Sequence, residues 1–384
     1  MTTPSLHPKA ALTTALLGMV ASTLQQTLLA TATPTIVTEL GHTACYAWVT
    51  SAYLLTSTLV LPVAGVFTDR LGARRMYAWG LAVFGMGTCG VMASTSMGSL
   101  IACRAVQGFG AGMIIPAALA VMGLFKQDQA RGRAFGVMGA AQALANIAGP
   151  LVGGWFTSGP GWRWMMAATM PFILTGWVLA GSSMPTAAPD ARRGRFRWRN
   201  MRATAETGSL ISLLCMSFLV GGMTVAVVTY LPWALATVHH SDAESIGRSL
   251  VPVLLAAAAG SAAGGVLASR RCALTWCWVV VGASLLLAFG AGQTWLIAAG
   301  VGVGFGCGAA LPLVLTQVQV MADESRLAST SSLVQLARHG GAAIVVLLIG
   351  LWPANISGPA ASRGVLASLL LVAACGLLVS WRTA

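Results

Sequence analysis

Arg104 lies inside an apolar stretch that is long enough to cross a lipid bilayer. The stretch runs from Leu100 to Met122 and reads LIACRAVQGFGAGMIIPAALAVM. A cation is costly in hydrocarbon, so an intramembrane arginine usually marks a functional site. On a helix, Gln107 and Gly108 share its face at i+3 and i+4. We therefore predict a site around these three residues. The alternative is an arginine that snorkels to the lipid headgroups.

Few residues could carry a proton across the membrane. The chain has nine Asp and Glu residues, and none falls near the middle of an apolar stretch. Glu39 lies at the end of the first stretch, and His339 is the one imidazole inside a stretch. We take these two as candidate proton sites, with a solvated end charge as the simpler alternative. No metal-ligand spacing, nucleophile motif or carboxylate pair is seen, so we expect no cofactor, no metal and no enzymatic activity.

Membrane-spanning helices must position these residues. Only 8% of the residues are charged and the mean hydropathy is +0.79, whereas a soluble domain carries about 25% charged residues. Apolar runs of about 20 residues are typical of transmembrane helices, which satisfy their backbone polar groups internally. We predict an all-α membrane protein with twelve spans: 11–33, 46–67, 76–95, 98–124, 134–157, 162–184, 208–232, 246–268, 273–291, 294–317, 330–352 and 361–381.

The basic residues indicate the topology. The net charge is +13, but most Arg and Lys residues fall in alternate connecting segments. This distribution follows the positive-inside rule and predicts that both termini are cytoplasmic. It also excludes nucleic acid as the expected partner, because the charge is accounted for by topology.

One polar segment divides the apolar stretches into two sets of six. Residues 185–207 read PTAAPDARRGRFRWRNMRATAET, and we expect a basic cytoplasmic linker there, either resting on anionic headgroups or only setting orientation. We predict an N-terminal six-helix bundle at 1–184 and a C-terminal six-helix bundle at 208–384. A weak repeat, GVFTDRLGARR at 65–75 and GVLASRR at 265–271, fits two parallel halves, as in many transporters.

Three further segments have a pattern that suggests movement or close packing. In the loop between spans two and three, we expect glycines for a tight turn, an acid at the N-terminal end of the third helix and arginines on the cytoplasmic side; the residues are Gly65, Asp69, Arg70, Gly72, Arg74 and Arg75. A turn that only orients the hairpin is the alternative.

Span five combines a polar and small face with a proline bend, which suits either a hinge or ordinary packing; the residues are Gln142, Asn146, Gly149, Pro150, Gly153 and Gly154. In span ten, GVGVGFGCG at 300–308 predicts a packing face at Gly300, Gly304 and Gly308, not a nucleotide loop.

These motifs together resemble the major facilitator superfamily. The loop at 65–75, RAVQGFGAG (104–112) and AGPLVGGWF (148–156) are similar to its signatures on helices two to five. LQQTLLATATPTIVTEL (24–40) and ARHGG (337–341) resemble its drug:proton antiporter branch. The resemblance implies two six-helix bundles around a cavity, alternating access, a gating role for the loop at 65–75 and an antiporter role for the helix-five motif.

The sequence departs from that branch in three places. The branch usually has fourteen helices, so this chain resembles a compact twelve-helix version. Ala73 stands where an arginine is usual. Most important, Gln25 stands where the branch has an acid, and an amide carries no proton. We expect Arg104 to meet that amide. The predicted cavity residues are Gln25, Thr33, Gln142, Asn146, Tyr230 and Trp233, with an interfacial aromatic belt as the alternative for the last two.

Together these features predict a secondary transporter that exports lipophilic small molecules. The resemblance favours proton antiport, in the cell inner (plasma) membrane, with a small-molecule substrate, protons and the lipid bilayer as partners. We expect a monomer. Two alternatives stay open: a facilitator that needs no ion, favoured by Gln25, and a transport-dead membrane sensor or scaffold.

Overall fold

A computed structural model describes residues 8–41, 45–121, 128–184, 208–267, 273–288, 292–321, 327–355 and 359–383. This part of the chain is helical and contains no strand. Its thirteen helices are α1 (Pro8–Leu40), α2 (Tyr46–Leu71), α3 (Ala73–Met92), α4 (Met97–Ala120), α5 (Asp128–Ser158), α6 (Trp162–Ala167), α7 (Met170–Ser183), α8 (Gly208–Val238), α9 (Ala243–Leu267), α10 (Ala273–Leu287), α11 (Gln293–Met321), α12 (Leu327–Asn355) and α13 (Pro359–Thr383).

The all-α prediction is confirmed, and each predicted span coincides with a helix or, for the sixth, with the pair α6 and α7. That span is interrupted at Ala168 and Thr169. Pro171 lies two residues after Thr169 and has no N–H to donate to the preceding turn, which accounts for the break. Within the described residues, nine segments are long and apolar enough to cross a membrane. The first helix was predicted too short, because α1 continues through Pro34 to Leu40.

Backbone contacts divide the chain into two compact units. One comprises Met1–Leu29 and Ala52–Phe196, and the other comprises Ala30–Ser51 and Arg197–Ala384. Helices α1 and α2 therefore contribute to both units, because residues 30–51 group with the second. The predicted linker, 185–207, lies outside the described residues.

In the first unit, alternate glycines of α4 bring it against two neighbours. A methyl group on Gly110 would lie 2.7 Å from the carbonyl oxygen of Gly80 in α3. A methyl group on Gly112 would lie 2.8 Å from the carbonyl oxygen of Ser57 in α2. Since Cβ atoms do not approach this closely, only glycine allows the backbones to pack at these positions. These contacts fix the part of α4 that follows Arg104.

The second unit repeats this arrangement in α11. Methyl groups on Gly304 and Gly308 would collide with backbone atoms of Val253 and Ala257 in α9. A methyl group on Gly306, on another face, would lie 2.8 Å from the carbonyl oxygen of Cys277 in α10. The packing role predicted for the glycines of span ten is confirmed. The two units thus share a packing feature, which is a helix whose alternate glycines contact two neighbouring helices.

Candidate functional site

A buried network of amides and hydroxyls lies in the first unit. The Gln25 Nε2 atom in α1 donates to Thr88 Oγ1 in α3 at 3.0 Å and to Thr169 Oγ1 at 2.6 Å. The Gln107 Nε2 atom in α4 donates to Gln25 Oε1 at 2.8 Å and to Thr88 Oγ1 at 3.0 Å. All four side chains are fully buried. Because buried polar groups are costly unless they are paired, this network holds four helical segments in one arrangement.

Arg104 joins the network through Gln107. Its Nη1 atom donates to Gln107 Oε1 at 2.8 Å, one helical turn away. Its guanidinium carbon lies 4.4 Å from the centre of the Tyr53 ring in α2. A planar guanidinium suits both contacts, because it donates in its plane and stacks on an aromatic face. The Arg104 side chain is only 1% exposed, so the snorkelling alternative is wrong.

The structure links Arg104 to the amide that the sequence predicts as its neighbour. Arg104 bonds to Gln107, which in turn bonds to Gln25. The predicted cavity residue Gln25 has no exposed surface and lies within the network. Sequence reasoning missed Thr88 and Thr169. The sequence signal for these two residues is a threonine hydroxyl within an otherwise apolar stretch.

Glycines also make room for the network. A methyl group on Gly87 in α3 would lie 2.7 Å from both Cγ and the backbone nitrogen of Gln107. A methyl group on Gly108 would collide with Thr56 Oγ1 and with the carbonyl oxygen of Tyr53 in α2. The third residue of the helix-four motif therefore acts in packing, and it sets the approach that places the Tyr53 ring beside Arg104.

The helix-five motif contacts α1 two residues beyond Gln25. A methyl group on Gly149 would collide with the Thr27 hydroxyl and lie 2.6 Å from Thr27 Cβ. Pro150 lies within a continuous α5, and the Gln142 amide reaches Met19 Sδ in α1 at 4.0 Å. Asn146 is half-buried, and the other two glycines of the motif, Gly153 and Gly154, are buried. The motif therefore provides a close α1–α5 seam.

In the loop at 65–75, one glycine has the predicted role. Gly72 joins α2 to α3 with φ 86° and ψ 149°, a conformation that only glycine adopts readily. Gly65 lies inside α2, and a methyl group there would meet no described atom within 4 Å, so its predicted part in the turn is wrong. The backbone of Asp69 falls in the last turn of α2, and not at the start of α3. The arginines are exposed or half-buried: Arg70, Arg74 and Arg75.

The remaining predicted residues lie in the second unit. Tyr230 is buried and its hydroxyl donates to the carbonyl oxygen of Val346 in α12 at 2.5 Å. Trp233 and Thr33 are also buried. Tyr230 and Trp233 line a cavity of about 230 Å³ within this unit. The Tyr46 ring lies 6.1 Å from the Tyr230 ring, an aromatic contact that sequence reasoning missed.

The two candidate proton sites differ in exposure. Glu39 is exposed near the end of α1, and His339 is half-buried in α12. Next to His339, a methyl group on Gly341 would collide with the backbone of Phe218 in α8. The ARHGG segment thus packs α12 on α8. The described residues contain no group of three or more His, Cys, Asp or Glu placed to hold a metal ion.

Comparison with known proteins identifies the family. The sequence profile of the Major Facilitator Superfamily matches residues 15–346. The chain belongs to this superfamily. The predicted resemblance to this superfamily is confirmed, and the chain is a multi-pass membrane protein.

Several relatives are named for drug transport. The chain is 38% identical over 158 residues to the multidrug transporter protein MdtP of Bacillus subtilis, a match that covers 41% of the chain and 29% of MdtP. It is 34% identical over 166 residues to the multidrug resistance protein B homolog of Mycobacterium tuberculosis, covering 43% of the chain and 31% of that protein. The chain thus spans about a third of the length of these relatives.

Solved structures share the fold over the whole chain. A bacterial homolog of the human lysosomal transporter Spinster, in an inward-facing and unoccupied conformation, matches with a TM-score of 0.80 and 15% identity, covering 100% of this chain and 98% of that one. The nucleoside transporter NupG matches with a TM-score of 0.78 and 12% identity, covering 97% and 98%. At these identities the likeness concerns the fold, and the predicted major facilitator fold is confirmed.

Proposed function

We propose that this chain exports lipophilic small molecules across the bacterial plasma membrane. The observation that carries the proposal is its similarity to proteins named multidrug transporters, at 38% identity over 158 residues for MdtP. The cargo of such a transporter must be matched by apolar and weakly polar surfaces. This is in keeping with the scarcity of charged side chains in the spans.

Alternating access gives the buried network a mechanical role. Hydrogen bonds among four side chains join α1, α3, α4 and the α6–α7 break; the side chains are Gln25, Thr88, Gln107 and Thr169. Gly149 brings α5 against α1 at Thr27. Helices joined in this way move as one body, because breaking the network would leave buried polar groups unpaired. We infer that the first unit rocks as a rigid element during transport.

Proton antiport is the coupling that we propose. Gln25 cannot take part, because its amide does not ionise. His339 lies within the candidate span Leu333–Leu351 and is the titratable imidazole best placed for the task, with Glu39 as the second candidate. A facilitator that needs no ion is the alternative, and the closed amide network around Gln25 favours it.

Transport into everted membrane vesicles tests both parts of the proposal. The full chain is expressed in an efflux-deficient bacterial host, and uptake of neutral and cationic lipophilic dyes and drugs is measured with and without an imposed pH gradient. We expect accumulation that is abolished when nigericin collapses the gradient. Equilibration that ignores the gradient would overturn antiport in favour of the facilitator. Failure to carry any panel member would contradict drug export and favour the sensor.

A matched pair of histidine variants separates coupling from general damage. His339→Asn removes the imidazole inside the span, whereas His240→Asn removes one in the exposed connection between α8 and α9. His240 has φ 50°, a conformation that asparagine tolerates. We expect only His339→Asn to abolish gradient-driven accumulation while leaving cargo equilibration intact. Unchanged accumulation in His339→Asn would exclude this residue and direct the same test to Glu39→Gln.

A further inference from the structure

An apolar cavity of about 230 Å³ lies within the second unit, apart from the network around Arg104. Residues of α8, α10, α11 and α13 line it. We propose that this cavity binds the alkyl chain of an anionic amphiphile, whose phosphate or carboxylate head is held by Arg363 and His239. This inference does not depend on the proposed export.

The lining of the cavity suits an alkyl chain. Leu285, Val303 and Leu369 contribute aliphatic surface from α10, α11 and α13. The hydroxyl of Tyr230 donates to the carbonyl oxygen of Val346, so the polar group of this lining residue is bonded to a residue that does not line the cavity. Pockets for drug-sized ligands span about 300–1,000 Å³. A smaller apolar cavity is better matched to a single chain than to a multi-ring drug.

The depth of the cavity matches one leaflet of a bilayer. His239 directly follows the candidate span Leu210–Val238, and Ser362 begins the candidate span Ser362–Trp381. The polar groups of the cavity therefore lie at the level of the headgroups. Val227, also in the lining, lies about 18 Å deeper than His239 along α8 at 1.5 Å per residue. Half of a hydrocarbon core is about 15 Å, so the cavity extends from the level of the headgroups to about the middle of the bilayer.

The charges at the cavity point to an anionic head. Arg363 is exposed, and within the described part of the chain neither Arg363 nor His239 makes a hydrogen bond or an ion pair. Arg248, near the start of α9, is instead paired with Glu244 at 3.5 Å. Among the described residues, the cation beside the cavity is thus unpaired, whereas the cation outside it has a carboxylate partner. An arginine fork matches phosphate and carboxylate oxygens.

Native mass spectrometry of the purified full chain tests the proposal. The probes are dodecyl phosphate and, as the uncharged counterpart with a similar chain, monolauroylglycerol. We expect one dodecyl phosphate per chain, with binding weakened about tenfold by Arg363→Gln, because a charge-assisted pair is lost. Arg248→Gln is the matched control, with the same change at the same end of the unit, and should bind as the unaltered chain does. Ala288→Phe, which places a ring in the cavity, should abolish binding of both probes.

Each protein is first checked for an unchanged thermal unfolding midpoint. Two cavity variants, Ala288→Phe and Ala234→Phe, are used so that the test remains decisive if one of them folds poorly. Equal binding of the two probes, or equal weakening by Arg363→Gln and Arg248→Gln, would overturn it. Binding that survives both Ala288→Phe and Ala234→Phe would place the ligand elsewhere. The source of the ligand is read from protein purified without probes. An adduct with the mass of an anionic phospholipid identifies the bilayer as the source, and an adduct formed only with added dodecanoate identifies free fatty acid.

Discussion

The side-chain amide of Gln107 in α4 donates a hydrogen bond of 2.8 Å to the amide oxygen of Gln25 in α1, and its own amide oxygen accepts one of 2.8 Å from Arg104. The charge of Arg104 is therefore connected to α1 through two amides. An amide donates and accepts at once, so this chain of contacts is completed without an ionisable group. A carboxylate at position 25 would make the same contacts depend on pH.

Replacing Arg104 with lysine should impair transport although the charge is retained. A lysine ammonium lacks the planar fork that bonds Gln107 while it stacks on Tyr53. We expect the transport rate in everted vesicles to fall about tenfold or more at matched protein level. Arg163→Lys is the control, because Arg163 also stacks on an aromatic ring, at 4.2 Å from Trp162, while its guanidinium donates to the carbonyl oxygen of Ser94. Equal losses in the two variants would contradict a specific role for Arg104.

Adding a methyl group at Gly149 should destabilise the protein. Its Cβ would collide with Thr27, and overpacking of this kind typically costs about 1–3 kcal/mol. We expect Gly149→Ala to lower the thermal unfolding midpoint in detergent micelles, and Thr27→Ala in the same chain to restore part of the loss. Gly65→Ala is the matched control, because its methyl group meets no described atom within 4 Å. A midpoint that is unchanged in Gly149→Ala would mean that the α1–α5 seam is not tightly packed.

The turn at Gly72 predicts an unusually strict requirement for glycine. At φ 86° and ψ 149°, a side chain is strained by about 1–3 kcal/mol. Asparagine tolerates the left-handed helical region but not this one, so Gly72→Asn should lower the unfolding midpoint as much as Gly72→Ala does. A clear advantage of asparagine over alanine would show that the turn adopts the left-handed helical conformation instead.

Local features of the site followed from the sequence, whereas its distant contacts did not. The Arg104–Gln107 pair was predictable, because residues three apart share a helix face. The contact of Gln25 with Thr169 depends on the break between α6 and α7, which places Thr169 at a helix end. The Tyr77 hydroxyl in α3 accepts from the Gly18 N–H at 2.9 Å and donates to the carbonyl oxygen of Thr14. It therefore bonds to two backbone groups of α1. No spacing along one helix encodes such contacts, because they depend on how neighbouring helices pack.

The central claim is that the amide at position 25 removes a coupling site. The most direct test compares the pH dependence of transport by Gln25→Glu with that of the unaltered chain at equal protein level. Glutamate has the length of glutamine, and its carboxyl would take the place of an amide that bonds Gln107, Thr88 and Thr169. We predict that Gln25→Glu still transports and gains a new pH-dependent step in gradient-driven uptake, because an ionisable group has entered the network beside Arg104. Transport with an unaltered pH profile would contradict the claim that the amide at position 25 removes a coupling site. Loss of transport at every pH, in a variant that folds normally, would also contradict it and indicate that Gln25 contacts the cargo.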